Sequence, residues 1–428
     1  MNQKTNPKTE GLVKDIGLLA LVASVINCMI GGGIFRLPGS VYTIVGTASP
    51  LVYLMCFIIM SLVALVFIQV GSKINVSGGP YAYVEPVLGS YPGFICGILL
   101  WALAVFAMAS VGNAYASFLG QMIPIFSSPL AQKLTLGFTL ILLALFNIKG
   151  VKKGAKLSIL LGTLKIIPLL LIGIIGIPHL DASRLAIPTP LPWSTLSRGA
   201  MVLIFAFTGI ECALIPSGEI KNPEKTLSRA LFISLFAVLI IYLGVQVVSQ
   251  SVLGSELGNP NGFPLALTAE RILGPWGRAL ITVGAVLSTL GYLSAMTLSL
   301  PRSLFAFAEK GYLPKKLALI HPVHRTPWVA IIIQVCITWL LAISNQFEVL
   351  AVLSNLAAIL MYMLCAFASI KLGMNQKRGL SHFIIPAFAT LAMSYLLTSV
   401  SLTEWLSVFG VILASSLLFA LKSNLSRQ

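Results

Sequence analysis

Apolar runs long enough to cross a lipid bilayer recur along nearly the whole chain, from Leu18 to Leu421. Each crossing needs about 20 apolar residues, and in hydrocarbon every backbone N–H and C=O must find a partner within the protein. Only 9% of the 428 residues are charged and 57% are hydrophobic, whereas roughly a quarter of a soluble domain is charged. A water-soluble fold is excluded, and one membrane domain accounts for almost the entire length.

Charged or turn-rich breaks predict twelve spans, near residues 16–44, 50–70, 92–124, 131–148, 156–177, 196–218, 228–250, 275–305, 327–343, 349–371, 380–399 and 403–421. Residues 1–15 and 422–428 are polar tails, and the first carries no cleavage pattern, so the first span is expected to be retained. Cytoplasmic loops collect Lys and Arg. With a cytoplasmic N-terminus, 21 of the 28 Lys and Arg fall on the cytoplasmic side and five on the other, with Arg36 and Lys165 inside spans. Both termini are therefore expected in the cytoplasm. The formal charge of +16 is this topological bias and forms no basic face for nucleic acid.

Two spans make poor continuous helices. The first contains Gly31, Gly32 and Gly33 in succession with Pro38 close behind, and each glycine costs a helix interior about 1 kcal/mol against alanine. The sixth contains Thr208, Gly209 and Pro216, with Glu211 near membrane depth. Glycines of this kind either permit close helix packing or mark unwound backbone lining a cavity. The two spans open successive five-span stretches, and five being odd, those stretches cross in opposite senses. Interruptions at corresponding places of an inverted repeat point to a transporter binding site. Free N–H groups of one half-helix suit a carboxylate and free carbonyls of the other suit an ammonium, so the expected ligand is a zwitterion.

The segments IGGGIFRLPG, SGGPYAYVEPVLG at 77–89, FTGIECALIPSGEIKNPEKTLSRA at 207–230, PRSLFAFAEKGYLPKKLA at 301–318 and HRTPWVA resemble the amino acid/polyamine/organocation superfamily. The resemblance implies an all-α integral membrane protein of twelve transmembrane helices, a LeuT-type five-plus-five inverted repeat followed by two extra spans. The repeats would cover 16–177 and 196–371 and the extra spans 380–421, within a transporter domain at 16–421. By resemblance, Gly31, Gly32 and Gly33 hold a substrate carboxylate, Met29 and Ile30 offer carbonyls to its amino group, and Phe205, Ala206, Phe207 and Thr208 form the facing wall. Phe205 takes the place of an aromatic gate. Many relatives have a small hydroxyl residue where this chain has Gly32, so a side-chain contact is missing.

Of the acidic residues only Glu211 lies well within a span, and Lys165 is the deepest base. An ionised group at the bilayer centre costs at least about 2.5–3.5 kcal/mol, so both are read as functional. By resemblance Lys165 occupies the position of a sodium ion in sodium-coupled relatives, with Ser288 in the same cluster. That implies sodium-independent transport, by proton coupling or by exchange. Glu211 resembles a gating or proton-releasing carboxyl, and it also reads as a protonated group satisfying loose backbone. Arg36 would face an outer vestibule.

All six cysteines lie in apolar segments without metal or redox spacing and read as packing residues. No cofactor or metal site is expected. His321 and His324 share a basic loop and read as solvated. The glycine run lacks the Lys-Ser/Thr of a P-loop, and no catalytic constellation lies in the spans, so neither an ATPase nor an intramembrane enzyme is expected. The expected function is secondary active transport of amino acids by alternating access in a bacterial inner membrane. The alternatives are a non-transporting amino-acid receptor and a polyamine/amino-acid antiporter on the same fold. Few charges around the pocket, which includes Trp101, lean towards neutral substrates, and the residues leave the oligomeric state open.

Overall fold

The computed structural model describes residues 16–71, 79–149, 165–187, 193–214, 220–259 and 262–425. They form helices α1 (Leu18–Met29), α2 (Leu37–Val45), α3 (Ser49–Gly71), α4 (Pro80–Leu88), α5 (Ser90–Met122), α6 (Pro129–Lys149), α7 (Ile166–Ile175) and α8 (Trp193–Leu203). After these come α9 (Pro223–Leu253), α10 (Pro264–Leu273), α11 (Pro275–Glu309), α12 (Trp328–Ser344), α13 (Phe347–Asn375), α14 (Ser381–Leu397) and α15 (Leu402–Leu425). Among the described residues the one β-type pairing is a single bridge, in which the Lys221 N–H donates to the Ile16 carbonyl at 3.0 Å.

Among the described residues, seven helices are long and apolar enough to cross a membrane. The first span is divided into α1 and α2, the described parts of the fifth and sixth are α7 and α8 with the 3-10 turns that follow, and the other predicted spans fall on helices within a few residues. Residues 156–164 of the predicted fifth span and 215–218 of the sixth lie outside the described residues, as do the tail 1–15 and residues 426–428 of the other tail.

The chain sorts into two packed groups. Helix α5 lies along α11, α12 and α13, whereas α9 lies along α1 and α3, and α8 lies against α2 and α3. Core and lipid faces follow from side-chain chemistry. The apolar window of α5 is 83% buried and that of α13 78%, against 22% for α6 and 17% for α15. The last two are peripheral. On α6, Leu134, Phe138, Ile141, Leu145 and Phe146 are exposed at helical spacing, as a lipid-facing strip requires.

Helices α4 and α10 were not foreseen, and they make the internal repeat visible. Each starts at a proline, where a missing N–H breaks no helical bond. Each ends at a glycine in the left-handed region, Gly89 (φ +105°) and Gly274 (φ +71°), whose N–H donates to the carbonyl of Glu85 (2.9 Å) or Glu270 (2.8 Å). A long helix then leaves at once, 33 residues in α5 and 35 in α11. At both elbows a second glycine lets the short helix fold against the long one. A Cβ on Gly93 would lie 2.5 Å from the Glu85 Cβ, and one on Gly277 would lie 2.3 Å from the Ala269 carbonyl oxygen. The paired motif was present in the sequence as EPVLGSYPG and ERILGPWG.

Gly93→Val and Gly277→Val should each destabilise the protein by about 1–3 kcal/mol through overpacking, read as a lower unfolding midpoint in detergent. Gly410→Ala, at a position with no atom within 4 Å of the new methyl, should not lower it.

Candidate functional site

The first span comes apart where its hydrogen bonds run out. The Ile30 N–H makes the last helical bond of α1, to the Ile26 carbonyl at 2.8 Å. The Gly31 N–H turns back to the Met29 carbonyl (2.8 Å), and Gly31 is extended with ψ −179°. A 3-10 turn over Gly32–Phe35 follows, and α2 starts at Leu37 with Pro38 in its first turn. The leading N–H groups of that turn have no acceptor behind them within it. Gly31 borders open space, with nothing within 4 Å of an added Cβ.

Gly32 and Gly33 are held by contact. An added Cβ would lie 2.1 Å from the Thr289 Cγ2 of α11 at Gly32, and 2.8 Å from the Phe205 ring at Gly33. The departure from the superfamily pattern at Gly32 thus has a steric cause. The Thr289 methyl fills the place of a side chain, while its hydroxyl donates to the carbonyls of Ala285 (2.7 Å) and Val286 (3.0 Å).

The sixth span loosens beside it. After α8 the chain forms a 3-10 turn, Ile204–Ala206. The N–H groups of Phe207 and Thr208 then both donate to the Ile204 carbonyl, and the Thr208 hydroxyl donates to the Phe205 carbonyl at 2.8 Å. Gly209 reverses the backbone at φ +103°, and a second 3-10 turn runs over Ile210–Leu214. Only glycine fits at 209, because a Cβ would also lie 2.8 Å from the carbonyl carbon and oxygen of Cys28. The two breaks therefore touch.

Buried polar groups satisfy the loosened backbone. Lys165 is 5% exposed, and its Nζ donates to the Asn27 carbonyl at 2.6 Å. That carbonyl is in the last turn of α1, where a cation complements both the unpaired oxygen and the helix dipole. The Tyr242 hydroxyl of α9 donates to the Met29 carbonyl (3.1 Å). With the Gly31 N–H, this fills both lone pairs of Met29, while the bonds described outside the helices bring no donor to Ile30. Glu211, 6% exposed, accepts from the Gly209 N–H (3.0 Å) and the Tyr362 hydroxyl (2.8 Å). Ser288 is 1% exposed, and its Oγ has no hydrogen-bond partner among the described residues. One turn earlier, Gly284 packs against Pro168 of α7.

A cavity of about 1010 Å³ opens towards one face, lined by Arg36, Ser40, Asn113, Lys133, Arg198 and Glu348 among others. Arg36 pairs with Glu348 (3.0 Å), which also accepts from the Ser40 hydroxyl (3.0 Å). The guanidinium lies 5.5 Å from the centre of the Phe347 ring, and that ring meets Phe205 edge-on at 5.9 Å. Arg36, Phe347 and Phe205 are thus stacked between this vestibule and Gly33. Sequence reasoning placed Arg36 in the vestibule and missed its partner, for which an acidic residue opening the tenth span was the available signal. Trp101 donates to Gln334 of α12 (2.9 Å).

Helix α13 carries a row of polar side chains seven residues apart. Glu348 grips Arg36, the Asn355 amide donates to the Met201 carbonyl (2.6 Å), Tyr362 holds Glu211, and the Ser369 hydroxyl donates to Gln69 (2.7 Å). All four partners belong to the first, second and sixth spans. Among the described residues no group of three His, Cys, Asp or Glu is placed to hold a metal ion. His321 and His324 have ring centres 4.8 Å apart on their loop.

Replacing Gly32 by Ala should lower thermal stability by about 1–3 kcal/mol, and Thr289→Ala in the same chain should recover most of the loss. A double-mutant cycle in which the two effects simply add would show that this contact does not exist.

Comparison with known proteins accords with this geometry. The amino acid permease family model matches residues 16–425. The chain is 30% identical over 412 residues to the serine/threonine exchanger SteT of Bacillus subtilis, covering 93% of each protein. It is 26% identical to the branched-chain amino acid permease BcaP of the same organism, covering 93% of this chain and 90% of that one. It is also 28% identical to an L-lysine transport protein of Corynebacterium glutamicum, covering 86% and 77%. With two broken spans meeting at membrane depth in a twelve-span repeat fold, and a family match over nearly its full length, the chain belongs to the amino acid permease family, membrane transporters within the amino acid/polyamine/organocation superfamily.

Proposed function

We propose that this protein carries a small neutral amino acid across a bacterial inner membrane by sodium-independent exchange or proton-coupled transport. The transporter domain is 16–421, its repeats 16–177 and 196–371, its extra spans 380–421, and both termini are cytoplasmic. The observation that carries the reading is the contact between the two breaks, where Gly209 lies on the Cys28 peptide, with a buried ionisable side chain bonded to the backbone on each side, Lys165 to Asn27 and Glu211 to Gly209.

Gly31, Gly32 and Gly33 bound the substrate carboxylate, which takes the N–H groups of Gly32 and Gly33 while that of Gly31 stays on the Met29 carbonyl, and the Ile30 carbonyl takes the ammonium. Phe205, Ala206, Phe207 and Thr208 bound the side chain. Neutral substrates are favoured because Glu211 already accepts two hydrogen bonds and no other described acidic side chain stands at the breaks. The names of the serine/threonine and branched-chain relatives point the same way. Lys165 holds a cation's charge at the C-terminal end of α1 without a metal ion, which supports sodium independence.

Alternating access is supported by an asymmetry of exposure. The vestibule ends on the Arg36–Glu348 pair and two aromatic rings, whereas Ala20, Ser24 and Asn27 of α1 form an exposed strip leading from the opposite end to Gly31. Its small and polar residues suit water better than lipid, which marks the cytoplasm-facing route.

Proteoliposomes preloaded with unlabelled neutral amino acid should take up labelled amino acid by counterflow without sodium. Binding without counterflow would establish a receptor instead. Lys165→Ala should abolish the pH dependence of uptake, and an unchanged pH profile in that variant would remove the coupling role. A green fluorescent protein fused to the C-terminus should fluoresce, as it does only on the cytoplasmic side.

A further inference from the structure

The two breaks also bring together a pair of thiols that sequence spacing gave no reason to connect. Cys28, next to last in α1, and Cys212, whose N–H donates to the Gly209 carbonyl at 3.1 Å in the 3-10 turn, stand on the two sides of the contact between the breaks. They meet because the bare Gly209 backbone lies directly on the Cys28 peptide. Both are partly accessible, and the Lys165 ammonium is bonded to the carbonyl of Asn27, the residue before Cys28.

The remaining cysteines differ in one respect or the other. Cys96 of α5 and Cys365 of α13 lie on helices that pack together but are buried. Cys56 is buried and donates to the Ala200 carbonyl at 3.6 Å. Cys336 is exposed on α12, but none of the described contacts brings it to another thiol. Cys28 and Cys212 are thus the one described pair that the contact of the two breaks brings together and leaves reachable.

We propose that Cys28 and Cys212 are an oxidisable dithiol, a modification site at the junction of the two broken spans that a peroxide converts to an intramolecular disulfide. One sulfur, as thiolate, attacks a peroxide oxygen. The O–O bond breaks, a sulfenic acid forms, and the departing hydroxide takes the thiol proton as water. The second sulfur then attacks the sulfenic sulfur, the S–O bond breaks, and the hydroxyl leaves with the second proton as another water. Two thiols and one hydrogen peroxide give one disulfide and two waters, and the two sulfurs supply the two electrons. A disulfide holds its Cβ atoms about 3.5–4.5 Å apart, fixing the separation of two segments between which a solute has to fit. The effect on transport rests on the function proposed above. The chemistry of the site does not.

The test uses the full-length protein in nanodiscs, treated with hydrogen peroxide and digested without reduction. Mass spectrometry should find a peptide linking Cys28 to Cys212 that dithiothreitol removes, with Cys96 and Cys365 still thiols. If peroxide leaves both sulfurs reduced, or carries either to sulfinic acid without the link, the proposal fails. In proteoliposomes, peroxide should lower amino-acid counterflow at least about fivefold and dithiothreitol should restore it. In Cys28→Ser and Cys212→Ser the ratio of treated to untreated counterflow should stay near one. A link that forms while wild-type counterflow is undiminished would overturn its place in the solute path. Absence of counterflow before treatment would refute the transport reading and leave the linked peptide as a separate result. The peptide assay needs only the wild-type chain, so a variant that fails to fold does not affect it.

Discussion

Peptide groups released from a helix inside a bilayer have no water to fall back on, and the rest of this structure is arranged around that constraint. An unpaired polar group in an apolar medium costs several kcal/mol, so a helix can open at membrane depth only where neighbours take over its hydrogen bonds. Here each replacement comes from a different element. Lys165 on the fifth span caps Asn27, Tyr242 on the seventh caps Met29, and Glu211 bonds back to Gly209 within its own turn. The leading N–H groups of the turn at Gly32 and Gly33 have no acceptor within that turn, and they are the groups the proposed function assigns to a solute.

The same economy explains the glycines. Those at 32, 33 and 209 stand where a side chain of Thr289, Phe205 or the Cys28 backbone already fills the volume a Cβ would need. The packing explanation holds at these positions, in backbone that is also unwound, and none of them lines the cavity described above. Of the four glycines at the breaks, only Gly31 faces open space.

Much of this was legible beforehand. Hydrophobic length placed the spans, since lipid demands it of every crossing, and the predicted 131–148 and 349–371 correspond to Pro129–Lys149 and Phe347–Asn375. The breaks were legible because glycine and proline act locally on the backbone. The elbow helices α4 and α10 were missed because at nine and ten residues they are too short for a hydropathy signal, though their shared motif could have exposed them. Pairings across the fold, such as Arg36 with Glu348 and Cys28 with Cys212, join residues 312 and 184 positions apart and depend on how helices cross, which no local pattern encodes.

The heptad row on α13 has a mechanical consequence. Seven residues rise about 10.5 Å along a helix, so the four grips are spaced like teeth down the seam between the two packed groups. Sliding along the axis would release them all at once, whereas a tilt about one end would part them in succession. Leaving a buried partner unsatisfied costs about 1–3 kcal/mol, so parting the grips one at a time is less costly at any instant than releasing all four, and the seam favours hinged opening over shear.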